Sequence, residues 1–197
     1  MPKAYVPNDK WSRRASEEGY RARSVYKLME LDERFRLLKK GMRVLDLGAS
    51  PGSWLQYAAA QVGTKGTVLG IDLKEIEPVA RHVATEVADI TDATQVEKIL
   101  AAHGLPEIDL VLSDLAPNTS GIKDIDQWRS IELSQAVSAI AQHALKPGGT
   151  CVMKILRGAD FDPFLAEAKR SWDSVRTAQV EASRDRSREI YVVMQKR

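Results

Sequence analysis

The spacing of hydrophobic positions changes along the chain. Over residues 21–39, Val25, Leu28, Met29, Phe35 and Leu38 recur near helical spacing and Gly41 closes the segment, which predicts a helix. Residues 1–20 show no such period and read as a loosely ordered, basic start. From residue 42 the pattern becomes one of short apolar runs. MRVLDL (42–47), TVLGID (67–72), a segment near 84–87, IDLVLSD (108–114), TCVMKIL (150–156), 174–180 and 189–195 are predicted strands. Helices are predicted between them at 54–62, 93–102, 127–145 and 161–170, and the turn KPGG (146–149) separates the third of these from its strand. IDLVLSD is nearly all apolar and ends in an acid, as a strand buried on both faces of a parallel sheet does. Strands alternating with helices predict a doubly wound α/β sheet, whose ligands bind outside the carboxyl ends of the strands.

Composition adds limits. The chain has 197 residues, 44% hydrophobic and 28% charged, which suits one globular domain and excludes wholesale disorder. The single cysteine, Cys151, excludes an internal disulfide framework, and with only three scattered histidines no Cys/His zinc cluster is expected. No apolar run is long enough for a membrane span, and the start MPKAYVPNDKWSRR lacks the apolar core of a secretory signal. A soluble, cytoplasmic protein is therefore expected.

Net charge is only +2, but it is unevenly placed. Residues 1–43 hold 12 Lys and Arg against 6 Asp and Glu, and the remainder holds 17 against 21. A basic arm joined to a mildly acidic body suits nucleic-acid binding, because cations on phosphates supply most non-specific affinity. Tyr5, Trp11, Tyr20 and Tyr26 are interleaved with these cations and could stack on bases. A solvated helical face whose aromatics dock on the body accounts for the pattern equally well.

Candidate chemistry lies at the strand ends. In VLDLGASPGSW (44–54) a strand meets a glycine-rich turn that opens a helix, with Gly48 and Gly52 allowing backbone close to a ligand. Neither GxGxxG nor GxxxxGK[ST] is present, and Pro51 removes an amide that a pyrophosphate would use. A nucleoside ligand without a diphosphate, such as S-adenosylmethionine, fits better, and an NAD-dependent oxidoreductase is disfavoured. Asp72 closes the second strand, where an acid can accept both ribose hydroxyls. Asp89 in VADITD could accept from an exocyclic amine, or be a solvated loop acid. LSDLAPNTSG (112–121) sets Asp114 at the end of the fourth strand, and Pro117, Asn118 and Gly121 shape the loop after it. Lys154 lies inside an apolar strand, which is costly unless it is paired, reaches the pocket edge or snorkels. If the fourth and fifth strands are neighbours, Lys154 and Asp114 can pair, and Glu189 at the start of the last strand could face Lys154.

Taken together, RARSVYKL (21–28), VLDLGASPGSW, GIDL, DLVLSDLAPNTSG, VMKILRG and SREIYVV resemble the FtsJ/RrmJ (RlmE) ribosomal RNA 2′-O-ribose methyltransferases. Their order and spacing cover about residues 11–195. The resemblance implies a Rossmann-like class I S-adenosylmethionine-dependent fold. Its seven-stranded, mostly parallel sheet would have order 3-2-1-4-5-7-6, with an antiparallel last strand and helices on both faces. It also implies a single methyltransferase domain over 1–197, with 1–40 as basic arm and helix and 41–197 as catalytic core. A Lys–Asp–Lys–Glu tetrad around the target ribose would fall on Lys27, Asp114, Lys154 and Glu189. Contacts to S-adenosyl-L-methionine would fall on Gly52, Trp54, Asp72, Asp89 and Asp114, beside Gly48.

The implied reaction is in-line methyl transfer to the 2′-oxygen of a uridine in the aminoacyl-tRNA-binding loop of large-subunit rRNA, on the assembled large ribosomal subunit, with Lys154 removing or steering the proton. Arg13, Arg14, Arg21 and Arg23 would hold phosphates. No metal is called for, and a monomer is expected. Ser53 departs from the second glycine many bacterial members carry, a change a small side chain should tolerate. The competing readings are a tRNA anticodon-loop ribose methyltransferase and a non-catalytic RNA-binding assembly factor.

Overall fold

A computed structural model describes residues 10–117, 120–183 and 188–197; Asn118 of the loop motif lies outside them. The elements are α1 (Lys10–Glu17), α2 (Val25–Phe35), β1 (Arg43–Leu47), α3 (Ser53–Val62), β2 (Thr67–Asp72), β3 (Val83–Val87), α4 (Ala93–Ala102), β4 (Ile108–Ser113), α5 (Lys123–Ala144), β5 (Leu145–Leu156), α6 (Phe161–Ser171), β6 (Ser174–Ala178) and β7 (Glu189–Gln195). The strands form one sheet in the order β3-β2-β1-β4-β5-β7-β6. β1 to β5 run parallel, and β7 is antiparallel to β5 and β6. This is the order the resemblance implied.

Strand alternation divides the core into two layers. Leu45, Leu47, Val111, Cys151, Met153 and Val192 face one side, with side chains of α4, α5 and α6. Val44, Val68, Leu110, Leu112, Val152, Tyr191 and Val193 face the other, with Leu28 and Leu31 of α2 and Trp54, Leu55 and Ala58 of α3. Among the described residues, no helix is long and apolar enough to cross a membrane.

Four expectations change. Residues 10–17 are helical rather than loosely ordered; Ala15 is buried, and Trp11 packs on Tyr26 with ring centroids 5.1 Å apart. The helix expected over 21–39 spans only Val25–Phe35. Arg36 takes a left-handed φ of 53°, its N–H donating to the carbonyl of Asp32, and the Asp32 carboxylate takes the N–H of Leu38 at 2.8 Å and the hydroxyl of Tyr57 at 3.0 Å. That side chain captures the groups that would continue the helix. α5 starts at Lys123, four residues early, because the Asp126 carboxylate holds both N–H and Oγ of Ser120 at 2.6 and 2.8 Å. KPGG lies within β5, and the extra residues appear as a register shift between the Ile108–Leu145 and Leu110–Thr150 pairs.

Candidate active site

β1 and β4 are neighbours, yet β1 connects onward to β2 on one side and β4 to β5 on the other. Their carboxyl ends are the topological switch point of the sheet, where a crevice opens. Gly48, at φ 83°, follows β1, and a Cβ there would overlap Cδ2 of Leu115 in the loop after β4. Only glycine lets these two loops approach so closely. The crevice is a cleft of about 990 Å³ whose lining includes Gly48, Asp72, Asp89, Asp114, Arg129 and Glu132. Asp72 also shapes it, accepting from the N–H of Ser50 at 3.0 Å and of Lys74 at 2.9 Å. Asp89 accepts from the N–H and hydroxyl of Thr91 at 2.9 and 2.8 Å, and these bonds hold its carboxyl below the usual range.

Gly52 and Trp54 do not line this cleft. Gly52, at φ 103°, precedes α3 and leaves room for Arg21, whose Nη1 would lie 2.8 Å from a Cβ there. Trp54 is buried, its Nε1 donates to the carbonyl of Ser24 at 2.8 Å, and its ring lies 6.2 Å from that of Tyr191. It borders a second, smaller cavity of about 40 Å³, shared with Ser24, Asp46, Gly48, Ser53 and Asp114.

The four tetrad residues converge. β4 and β5 are hydrogen-bonded neighbours, so Lys154 reaches Asp114: its Nζ donates to the Asp114 carbonyl at 2.6 Å and lies 3.1 Å from Oδ1. Lys27, from the first turn of α2, donates to Glu189 at 2.7 Å and lies 3.8 Å from Asp114 Oδ1. Glu189 thus has Lys27 rather than Lys154 as its direct ammonium partner. Burial pushes the Glu189 carboxyl up, but Lys27, then Lys154, and the Ser183 hydroxyl at 3.0 Å hold it below the ordinary range. Both lysines are buried, so their ion pairs are shielded from solvent.

Two residues to which the sequence alone assigned no role belong to this cluster. Tyr191, opposite Lys154 in the β5–β7 ladder, donates its hydroxyl to Asp114 Oδ1 at 2.6 Å. Burial and the negative charge of Asp114 push that phenol well up, so it remains a donor. Asp46 lies one strand away on the same face, fully buried, its carboxyl raised well above the ordinary range by burial and by Asp114 and Asp72. A signal for both was available: each is a polar group inside an apolar strand, on the same alternating face as a recognised site residue.

The arginines of the N-terminal segment divide. Arg21 donates to the carbonyls of Pro51, Glu77 and Pro78 at 2.7–3.1 Å, clamping the turn after β1 to the loop after β2. Arg23 donates to the carbonyl of Ala182 at 3.0 Å. Arg14 pairs with Glu18 at 2.7 Å and sits over the Tyr26 ring, yet stays exposed. Arg13 is exposed.

Known proteins resemble this chain in sequence and fold. The family model described as FtsJ-like methyltransferase matches residues 20–197. A Methanothrix thermoacetophila protein named ribosomal RNA large subunit methyltransferase E is 47% identical, over 95% of this chain and 72% of its own length. A Syntrophobacter fumaroxidans protein of the same name is 43% identical over 96% of each chain. A Plasmodium falciparum structure described as a ribosomal RNA methyltransferase superposes with a TM-score of 0.78 at 29% identity, covering 90% of this chain and 98% of its own. With the sheet order and the residues gathered at its switch point, these matches place the chain in the FtsJ-like methyltransferase family.

Proposed function

We propose that this chain methylates large-subunit ribosomal RNA at a ribose 2′-oxygen, using S-adenosylmethionine, and that the target is a uridine of the aminoacyl-tRNA-binding loop on the assembled large subunit in the cytoplasm. The observation that carries the reading is the convergence of Lys27 and Lys154 on one carboxylate, Asp114, at the inner wall of the cleft. The names of the relatives support the substrate class.

The residues fit the cofactor. Its adenosine would lie along Asp72 and Asp89, with backbone approach at Gly48. The acids Asp46, Asp72 and Asp114 suit a ligand that carries positive charge. When bound, the cofactor supplies a methyl already activated on a sulfonium. The chain must then orient the acceptor oxygen in line and manage one proton. Lys154 donates to the Asp114 carbonyl and lies 3.1 Å from its Oδ1, which holds its nitrogen beside the seat of the ribose hydroxyl, where it steers or receives the proton. Lys27 and Glu189 wall the other side of that seat, and Tyr191 holds Asp114 from beneath. Exposed Arg13 and Arg14 hold phosphates of the RNA.

Incubation with labelled S-adenosylmethionine and large ribosomal particles or tRNA, from cells lacking the gene, tests this. Alkali-resistant label in large-subunit rRNA supports the reading. Label in tRNA alone replaces the substrate. Bound cofactor with no label in either RNA overturns the catalytic assignment on these substrates.

A further inference from the structure

The molecule exposes few large apolar side chains, and most of them lie in one place. Of the five exposed among the described residues, three are Ile122, Ile125 and Trp128, at the start of α5. Residues three apart on a helix are surface neighbours, so the three make one patch. Trp128 is 54% exposed, whereas Trp54 and Trp172 are buried and Trp11 packs on Tyr26. Among the described residues, no ring or hydrogen-bond partner meets the Trp128 indole.

The patch stands at the mouth of the cleft and is held there. α5 begins at the carboxyl end of the sheet, and the side chains of a helix lean toward its N-terminus, which carries these three toward the strand ends. Arg129, next in the chain, and Glu132, one turn on from Trp128, line the cleft. The buried residues around Trp128 are fixed. Asp126 holds Ser120, the Gln127 carboxamide fills the space a Cβ of Gly158 would need, and Ser130 Oγ accepts the N–H of Leu156 at 3.0 Å. Leu156 and Gly158 lie just beyond Lys154, so Trp128 is anchored to the end of the strand that carries that lysine.

Size and charge select the occupant. Three side chains offer on the order of a few hundred Å², against ~800 Å² per partner in a stable protein interface. The charges beside the patch are mixed, Lys123 and Arg129 against Asp124 and Glu132, so it is no phosphate site. A flat indole in an apolar setting suits the face of a base. We propose that Trp128 is the stacking platform for an unpaired base beside the target nucleotide of the substrate RNA, with Ile122 and Ile125 as its apolar rim. This rests on the proposed RNA substrate. Lys154 and Asp114 receive the ribose, and Trp128 fixes the neighbouring base, which sets the register of the RNA strand across the cleft.

Steady-state transfer from labelled S-adenosylmethionine to large ribosomal particles from cells lacking the gene tests this, with Trp128→Ala, Trp128→Leu and Trp128→Phe beside the unaltered full chain. In the Ala and Leu variants kcat/KM for the particle should fall at least about fivefold, the low end of what one stacked base contributes. The Phe variant keeps an aromatic face and should retain most of the activity. KM for the cofactor should not move in any of them. The salt dependence should keep its slope, because no phosphate loses a cation. The exposed position lets all three variants fold, and an unchanged thermal midpoint checks it. Activity in the Leu variant equal to that of the unaltered chain overturns the inference, since an apolar contact would then suffice without a π-face. Full activity in all three overturns it as well, and in both cases the RNA reading stands. If the unaltered chain labels no rRNA, that reading falls and the inference with it.

Discussion

Two charge clusters lie at opposite ends of the same sheet. At the amino end, Asp109 at the start of β4 accepts the N–H of Arg43 at 2.7 Å, pairs with Lys146 at 2.5 Å and lies 3.6 Å from the Arg43 guanidinium, which also meets Glu107 at 3.7 Å. Both oxygens of this partly buried acid are occupied, while its cations reach solvent. This cluster staples the starts of β1, β4 and β5. At the carboxyl end, Asp114 is shared by Lys27, Lys154 and Tyr191, and Asp46 has no hydrogen-bond partner among the described residues. Both ends are rich in charge. A cluster that satisfies itself holds structure, whereas one left in surplus is arranged for a group that arrives later.

The sharpest way to break this contrast is Lys154→Ala. Transfer should fall by about 10²–10⁴-fold, the usual range for a positioned proton-handling group, while cofactor binding persists. Unchanged turnover would show that the cluster only staples. Next comes Lys27→Met, which leaves the half-buried Glu189 without its ammonium partner at 2.7 Å and should cost about 3 kcal/mol of stability, read by denaturant unfolding. The sign of its pH dependence follows from the depressed Glu189 carboxyl. In the unaltered chain the pair's stabilisation is present above the ordinary carboxylate range and is lost as pH falls through the lowered value; in Lys27→Met that loss should shrink.

At the other end, Asp109→Asn should cost less, about 1–2 kcal/mol, with turnover of the folded enzyme unchanged. Burial raises the Asp109 carboxyl, but the Arg43 N–H and Lys146 outweigh it and hold it low. Its stabilisation is therefore also lost toward acid pH. A large drop in turnover for this variant would erase the distinction between the two ends. The smallest effect is expected of Arg13→Ala. It should weaken RNA binding several-fold and flatten the salt dependence, the slope changing by about 0.7–0.9 for each phosphate left without its cation.

The alternation of strands and helices was legible because each strand is a short apolar run bounded by turn residues. Lys154 and Asp114 could be paired in advance because a lysine in an apolar strand needs a partner and the adjacent strand offered one. Helix ends were harder. The end of α2 depends on Asp32 reaching Leu38 and Tyr57, and the start of α5 on Asp126 reaching back to Ser120. α1 went unseen since Ala15 is its one buried residue, too little for a period. Asp46 stood in plain view within VLDL, but isolation is a property of surroundings, and no linear pattern displays it. Arg21 read as a phosphate ligand from its charge; the carbonyls it holds come from Pro51, Glu77 and Pro78, at sequence distances no local pattern spans.

The position of β7 has a consequence for the order of synthesis. It enters the sheet between β5 and β6, both made before it. A nascent chain that has reached Ala178 has β5 and β6 but not the strand that joins them, and each presents an open edge. Lys27 and Lys154 have by then been made, without Glu189 or the hydroxyl of Tyr191. The ribose seat is therefore assembled by insertion of a strand translated after all the others. Until then the chain has the strands that form the cofactor cleft but an unfinished seat for the acceptor.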